Sequence, residues 1–130
     1  MKVNMFNQSA CCISLQIKEK ISTLAEHTIK KEHITINNLN IIITNDNYIQ
    51  KLNRKFLNRN RPTNVLSFHM EEVSEIYISY DRVACPDDLF YYVVHGLLHI
   101  IGYDHRKAAE AKIMENKCQQ YVKCLTEKEQ

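Results

Sequence analysis

The residues best suited to chemistry in this sequence are three histidines within HGLLHIIGYDH, residues 95–105. His95 and His99 are four positions apart, so on a helix their imidazoles project from one face, one turn apart. Gly102 can take a left-handed conformation at the end of that helix and turn the chain back, which brings His105 towards the other two rings. Three converging imidazoles with an open fourth position are the ligand set of a catalytic zinc ion. We therefore predict that His95, His99 and His105 bind one zinc ion.

The spacing H-x-x-x-H-x-x-G-x-x-H is also that of the metzincin proteases, which carry a glutamate directly after the first histidine as general base. Gly96 occupies that position here and cannot accept a proton. Because this glycine lies next to a predicted ligand, we expect it to leave open space beside the metal. The sequence therefore predicts a metal site that lacks the base of a peptidase.

A second candidate feature is a basic window. From Asn47 to Met70 there is no acidic residue, and five basic residues give the window a charge of +5 in a chain whose net charge is +2, so the remaining residues sum to −3. Such a local excess indicates a polyanionic partner, although a solvated helix face would look the same. We predict that Lys51, Arg54, Lys55, Arg59 and Arg61 contact this polyanion.

Composition restricts the class of protein. The 130 residues, 45% hydrophobic and 25% charged, are typical of one globular domain spanning residues 1–130. No apolar run approaches the roughly 20 residues that a membrane span needs, and the N-terminus has no secretory signal pattern, so we expect a cytoplasmic protein without membrane partners. The five cysteines form no Cys-x-x-Cys pair, which favours reduced thiols without disulfide partners.

Hydrophobic periodicity predicts the elements that must position these residues. Helices are expected at 14–31, after Thr44 or Asp46 as cap, from Pro86 through the histidines, and at 107–125, with Cys118 among the core positions of the last. On the second helix Tyr48, Leu52 and Phe56 should form an apolar stripe. Strands are expected at 1–8, 39–44, 64–68 and 75–79.

HGLLHIIGYDH and, upstream of it, RPTNVLSF together resemble the YbeY family of zinc-dependent endoribonucleases, which act in ribosomal RNA maturation and ribosome quality control. The resemblance implies an α/β (α+β), zincin-like fold with a mixed sheet of about four strands packed with helices. It also implies that His95, His99 and His105 are the zinc ligands, and that the partners are ribosomal RNA and the small ribosomal subunit.

The sequence departs from the family pattern at one position that bears on activity. The family usually has an arginine directly after the aromatic residue found here as Phe56, whereas this chain has Leu57. Arg59 or Arg61 could supply the guanidinium from the same loop, so we count both with His95 as candidate catalytic residues. A further departure is Ser74-Glu75, which stands where the family usually has Gly-Asp.

Phosphodiester cleavage suits a zinc ion with an open position in two ways, since zinc lowers the pKa of bound water towards about 7 and acts as a Lewis acid on a phosphoryl oxygen. The sequence leaves both open. Asp104 is a candidate to accept a hydrogen bond from a ligand imidazole or to form a helix-end turn. Ser67 and Asn64 are expected to line the site or to form edge hydrogen bonds. The expected function is 16S ribosomal RNA 3′-end maturation; the alternative is a non-catalytic, zinc- and RNA-binding assembly factor.

Overall fold

The computed structural model describes residues 1–103 and 107–127, with side chains through Leu125. Its elements follow the predicted order, and a short 3-10 turn that the sequence did not predict, Tyr80–Arg82, precedes the third helix. The strands are β1 (Lys2–Asn7), β2 (Asn38–Thr44), β3 (Val65–His69) and β4 (Val73–Ser79). The helices are α1 (Leu15–Lys31), α2 (Asp46–Leu57), α3 (Pro86–Ile101) and α4 (Ala108–Glu127).

The four strands form one mixed sheet in the order β1-β2-β4-β3. β1, β2 and β4 are parallel, and β3 pairs antiparallel with β4 at the edge. β2 is one of the two interior strands, and its Leu39, Ile41 and Ile43 are at most 1% exposed, as the apolar run predicts. The predicted α+β architecture, a four-stranded mixed sheet packed with helices, is confirmed.

Side-chain alternation in the sheet separates two apolar layers. Ile41 and Ile43 point into the main core, which they share with α1, α3 and α4. Cys118 lies in this core, as its helical spacing predicted. Ile42 points to the opposite face of the sheet, where α2 packs on β3 and β4. The long helix α3 is therefore buried on several sides, whereas α2 covers only part of the opposite face of the sheet.

The predicted cap of α2 was wrong. Asn45, between the two residues we named, is the N-cap, and its side-chain oxygen accepts a hydrogen bond from Tyr48 N at 2.9 Å. Thr44 is instead buried at the end of β2, and the Asp46 carboxylate accepts from the Ser79 hydroxyl at 2.6 Å. Asp46 therefore does not cap its own helix, because its carboxylate is hydrogen-bonded to Ser79 of β4 instead.

The apolar stripe predicted on α2 contacts aromatic rings of the sheet but is not the most buried face of the helix. Tyr48 and Phe56 are 39% and 57% exposed, whereas Ile49 and Asn53 are buried. The Asn53 side-chain amide donates to the carbonyl of Arg61 at 2.9 Å. A polar residue therefore occupies a core-facing position because it holds the loop after α2, and a pattern that counts only apolar residues misses it.

The Glu32 carboxylate links the end of α1 to the segment after α3 and to α4. Glu32 directly follows α1, and its side chain, only 5% exposed, accepts hydrogen bonds from Tyr103, Lys117 and Tyr121. Burial alone would raise the pKa of Glu32, but hydrogen bonds from Lys117, Tyr121 and Tyr103 outweigh it and lower the pKa below 4.5. Tyr103 lies two positions after α3, so its hydrogen bond to Glu32 anchors the chain directly after the histidine helix.

None of the helices in the described part of the chain is long and apolar enough to cross a membrane.

The lowered pKa of Glu32 gives its stabilisation a defined pH range. That stabilisation is present above the unfolded-state pKa, about 4.5, and is lost as pH falls through the lower folded-state pKa. We expect Glu32→Gln to lower the free energy of unfolding by about 2 kcal/mol at neutral pH, and this loss to shrink towards zero in acid. Thermal unfolding of both proteins across acidic pH checks this, with Glu26→Gln, an exposed change on α1, as control. A loss independent of pH would contradict an ionised Glu32.

Candidate active site

Two of the three predicted ligands meet on α3. The Nε2 atoms of His95 and His99 are 3.0 Å apart, and their ring centroids are 4.7 Å apart. Two nitrogens bound to a tetrahedral zinc ion at its usual bond lengths lie roughly 3.3 Å apart, so this pair needs only a small separation to hold one ion. The helical spacing has therefore done what the sequence predicted, and both rings present Nε2, an ordinary zinc donor, to the same point.

The third predicted ligand, His105, and the neighbouring Asp104 lie outside the described residues. Their roles as zinc ligand and as hydrogen-bond acceptor stay predictions. The described chain reaches Tyr103 after a turn at Gly102, whose φ of 120° a side chain would strain. This positive φ ends α3 where the sequence predicted a glycine turn.

A tyrosine on the previous turn of α3 supports the ring of His95. Tyr91 stacks on it with ring centroids 6.1 Å apart and planes 21° apart. The Tyr91 hydroxyl donates to the Glu115 carboxylate on α4. Burial, and then this hydrogen bond, raise the pKa of Tyr91 well above its ordinary value, so the phenol keeps its proton. α4 thereby fixes the wall behind the histidine pair.

Gly96 does not leave open space beside the histidines, contrary to our expectation. A Cβ added at Gly96 would lie 2.8 Å from Ile76 Cγ2 and 3.0 Å from Ser67 Oγ. The Ser67 hydroxyl also donates to the Gly96 carbonyl at 2.9 Å. This glycine allows α3 to approach β3 and β4 closely, and its role is packing.

A cleft of about 530 Å³ adjoins the histidine pair along the edge strand β3. His99 lines it together with Arg59 and Arg61, the two candidate catalytic arginines, and with Ser67 and Asn64, the two residues expected at the site. Its described lining residues include no aspartate or glutamate. They are Asn53, Leu57, Arg59, Arg61, Pro62, Thr63, Asn64, Val65, Leu66, Ser67, His69, Arg82, His99 and Ile100. A cleft with several cations and no anion among these residues is suited to bind phosphate groups.

The structure divides the predicted RNA-binding residues into two groups. Arg59 and Arg61 line the cleft, whereas Lys51, Arg54 and Lys55 are exposed on α2 and are not among its lining residues. The Lys55 ammonium lies 5.2 Å from the centroid of the Phe56 ring. The second group could therefore extend a cationic surface beyond the cleft but cannot act within it.

Sequence reasoning missed Arg82, which lines the cleft from the 3-10 turn after β4. Its Nε is 2.9 Å from Asp46 Oδ1, and its Nη1 is 3.5 Å from Asn64 Oδ1. Burial would raise the pKa of Asp46, but hydrogen bonds from Ser79 and Arg82 lower it. No local pattern could reveal this arginine, because only the fold brings the turn after β4 and the loop after α2 to the same cleft.

His69 is the other residue that sequence reasoning missed. It ends β3, is exposed, and lines the same cleft as His99. Its Nδ1 lies 2.8 Å from the hydroxyl of Ser74, which is 1% exposed. Strand alternation could have found it, because it lies two positions beyond Ser67 and therefore on the same face of β3.

Several known proteins resemble this chain over most of its length. Residues 4–126 match the family model described as Endoribonuclease YbeY. The protein named Endoribonuclease YbeY from Wolbachia sp. subsp. Drosophila simulans is 32% identical over 133 residues, covering 89% of each chain. Its namesake from Neorickettsia sennetsu is 33% identical over 101 residues, covering 65% of this chain and 71% of the relative. The solution structure of TM1509 from Thermotoga maritima covers 95% of this chain and 88% of its own, with a TM-score of 0.62 and 26% identity.

The close approach at Gly96 predicts a packing defect on substitution. An alanine in an unobstructed helix position would stabilise the protein by about 1 kcal/mol relative to glycine. Here we expect Gly96→Ala to lower the free energy of unfolding by about 1–3 kcal/mol, because its Cβ would overlap Ile76 and Ser67. Chemical denaturation measures the change.

Ile76→Ala removes the nearest overlapping atoms and provides the matched control. The double variant should lose less stability than the sum of the two single changes. Strict additivity, or a stabilised Gly96→Ala, would contradict the packing role. By the same reasoning, any larger residue at this position, including the glutamate of a peptidase, would first disturb the fold.

Proposed function

The chain belongs to the endoribonuclease YbeY family, whose members are hydrolytic nucleases, and on this premise we propose that it is a zinc-dependent endoribonuclease that cleaves single-stranded RNA. The observation that carries the proposal is the juxtaposition of the His95–His99 pair with a cleft lined by arginines and, among its described residues, by no carboxylate. Two imidazoles that could share one metal ion therefore adjoin a surface suited to a phosphodiester.

The donor set supports zinc. His95 and His99 present two imidazole nitrogens at a separation that one ion can bridge, and His105 is the proposed third ligand. When bound, zinc supplies a Lewis acid that stabilises negative charge on a phosphoryl oxygen. Tyr91 stacks on His95 and so holds its ring towards that shared point.

The arginines of the cleft would hold the RNA backbone. Guanidinium groups bind phosphate through two parallel hydrogen bonds, and Arg59, Arg61 and Arg82 line the same cleft. The Asp46 and Asn64 contacts hold Arg82 in place, so its side chain loses less conformational entropy on binding than an unrestrained arginine. Backbone contacts carry no sequence information, and so we propose that the geometry of the RNA, more than its base sequence, selects the cleavage site.

Family membership supports the proposed biological role. We propose that the substrate is the 3′ end of 16S ribosomal RNA on the small ribosomal subunit, in the cytoplasm, during maturation and quality control. Lys51, Arg54 and Lys55, exposed on α2, could bind further phosphates of such a large particle.

One observation favours a second function. Leu57 lines the cleft and is 47% exposed, at the position where the resemblance places an arginine implicated in activity. A protein without that arginine could act mainly as a non-catalytic zinc- and RNA-binding assembly factor. Arg59, Arg61 and Arg82 in the same cleft favour the enzyme, because they can supply the missing guanidinium.

Single-turnover cleavage of an RNA oligonucleotide, with metal analysis of the same samples, tests the proposal. We expect about one zinc ion per chain, and cleavage that a chelator abolishes and added zinc restores. His99→Ala should lose both metal and cleavage. His33→Asn is the matched control, since His33 is exposed, is not a cleft residue, and has a φ of 56° that asparagine tolerates. Zinc binding without cleavage would identify the assembly factor, and full zinc retention by His99→Ala would refute the site.

Salt dependence tests the phosphate contacts. Neutralising Arg59 and Arg61 together, as Arg59→Gln and Arg61→Gln, should weaken RNA binding and flatten the plot of log affinity against log salt by about 0.7 per lost contact. The control pair Lys30→Gln and Lys31→Gln removes the same charge from the exposed last turn of α1. Equal slopes for the two double variants would show that the cleft arginines do not touch phosphate.

A further inference from the structure

RNA cleavage leaves an alkoxide that takes up a proton, and the cleft offers few groups to provide one. Its described lining residues include no aspartate, glutamate, lysine, cysteine or tyrosine. Arginine does not give up its proton in proteins. Among these residues only the two histidines, His69 and His99, can transfer a proton near neutral pH. His99 is a proposed zinc ligand, which leaves His69.

The register of β3 places His69 beside the histidine helix. Ser67 bonds to Gly96, and His69 lies two residues further along the strand, on the same face and about 7 Å away. Ile100 lies four residues beyond Gly96, about 6 Å further along α3. At the start of β3, Asn64 contacts Arg82, whose carbonyl accepts from the Tyr92 hydroxyl near the start of α3. Strand and helix therefore run in the same direction, so His69 is level with the last turn of α3, which carries His99.

A buried hydroxyl orients the His69 ring. Nδ1 lies 2.8 Å from Ser74 Oγ, and Ser74 is held in β4, where it pairs with His69 across the ladder. With Nδ1–H donating to this hydroxyl, Nε2 is the nitrogen that exchanges a proton with a bound substrate. The same hydrogen bond persists before and after that exchange. This is the arrangement of an acid whose ring is held by a third group.

We propose that His69 is the general acid of RNA cleavage, an inference that rests on the proposed endoribonuclease function. A nucleophile, either water or a ribose 2′-hydroxyl, forms a new bond to phosphorus and releases its proton to solvent. The bond from phosphorus to the leaving bridging oxygen breaks, and its electron pair stays on that oxygen. The oxygen takes the proton of His69 Nε2–H, and solvent then reprotonates His69.

A substrate whose leaving group needs no proton distinguishes an acid role of His69 from a structural one. We expect His69→Gln, which keeps an amide for hydrogen bonding but cannot act as the acid, to slow single-turnover cleavage of ordinary RNA by about 10²-fold. Zinc content should not change, because His69 is not a proposed ligand. In RNA with sulfur replacing the leaving bridging oxygen, prepared in separate 3′ and 5′ versions, the leaving thiolate is stable unprotonated. For one of the two versions, His69→Gln should then cleave within a few fold of wild type.

The outcomes separate this inference from the function on which it rests. If wild type cleaves RNA and His69→Gln cleaves it equally fast, His69 is not the acid, and the proposed function stands. If His69→Gln is slow on ordinary RNA and on both sulfur-containing versions, its loss is structural or lies in binding, and the inference fails. If wild type cleaves no RNA, both proposals fail.

Discussion

The close approach of α3 to the sheet at Gly96 is the constraint on which the site depends. With no side chain at this position, the helix lies against Ile76 of β4 and Ser67 of β3, and Ser67 bonds its carbonyl. One turn further along, the same helix carries His99 at the edge of the cleft, and the edge strand carries His69. Any larger residue at position 96 would push the helix from the sheet, and the two walls of the cleft would separate.

Two carboxylates, Asp46 and Glu32, are held by several hydrogen bonds, and neither is among the described residues that line the cleft. Asp46 is bound by Ser79 and Arg82, and Glu32 by Lys117 and two tyrosines. In both cases hydrogen bonds and a cation outweigh the effect of burial and lower the pKa, so each acid is a stable anion with its charge already compensated. The ion pair with Asp46 also holds Arg82 in place at the cleft.

The proposed site thus combines a histidine pair with an arginine-lined cleft built from different parts of the chain. α3 supplies the imidazole pair, the loop after α2 supplies Arg59 and Arg61, and the turn after β4 supplies Arg82. Asn53 anchors the second of these parts, because it is buried in α2 and its side-chain amide donates to the Arg61 carbonyl in the loop. This explains why a polar residue faces the core of a helix whose aromatic residues are exposed.

The sequence by itself determined the elements, their order and the pairing of His95 with His99, because helical and strand periodicity are local and because a spacing of four residues aligns two side chains on any α-helix. It also showed that Arg59 and Arg61 belong to a basic window, since the absence of acids between Asn47 and Met70 is visible in one dimension. The tertiary structure alone decided that Gly96 serves packing, that Asn53 is buried while Phe56 is exposed, and that His69 and Arg82 join the cleft. These outcomes depend on which strands pair and how closely a helix approaches them, and such long-range contacts leave no periodic trace along the chain.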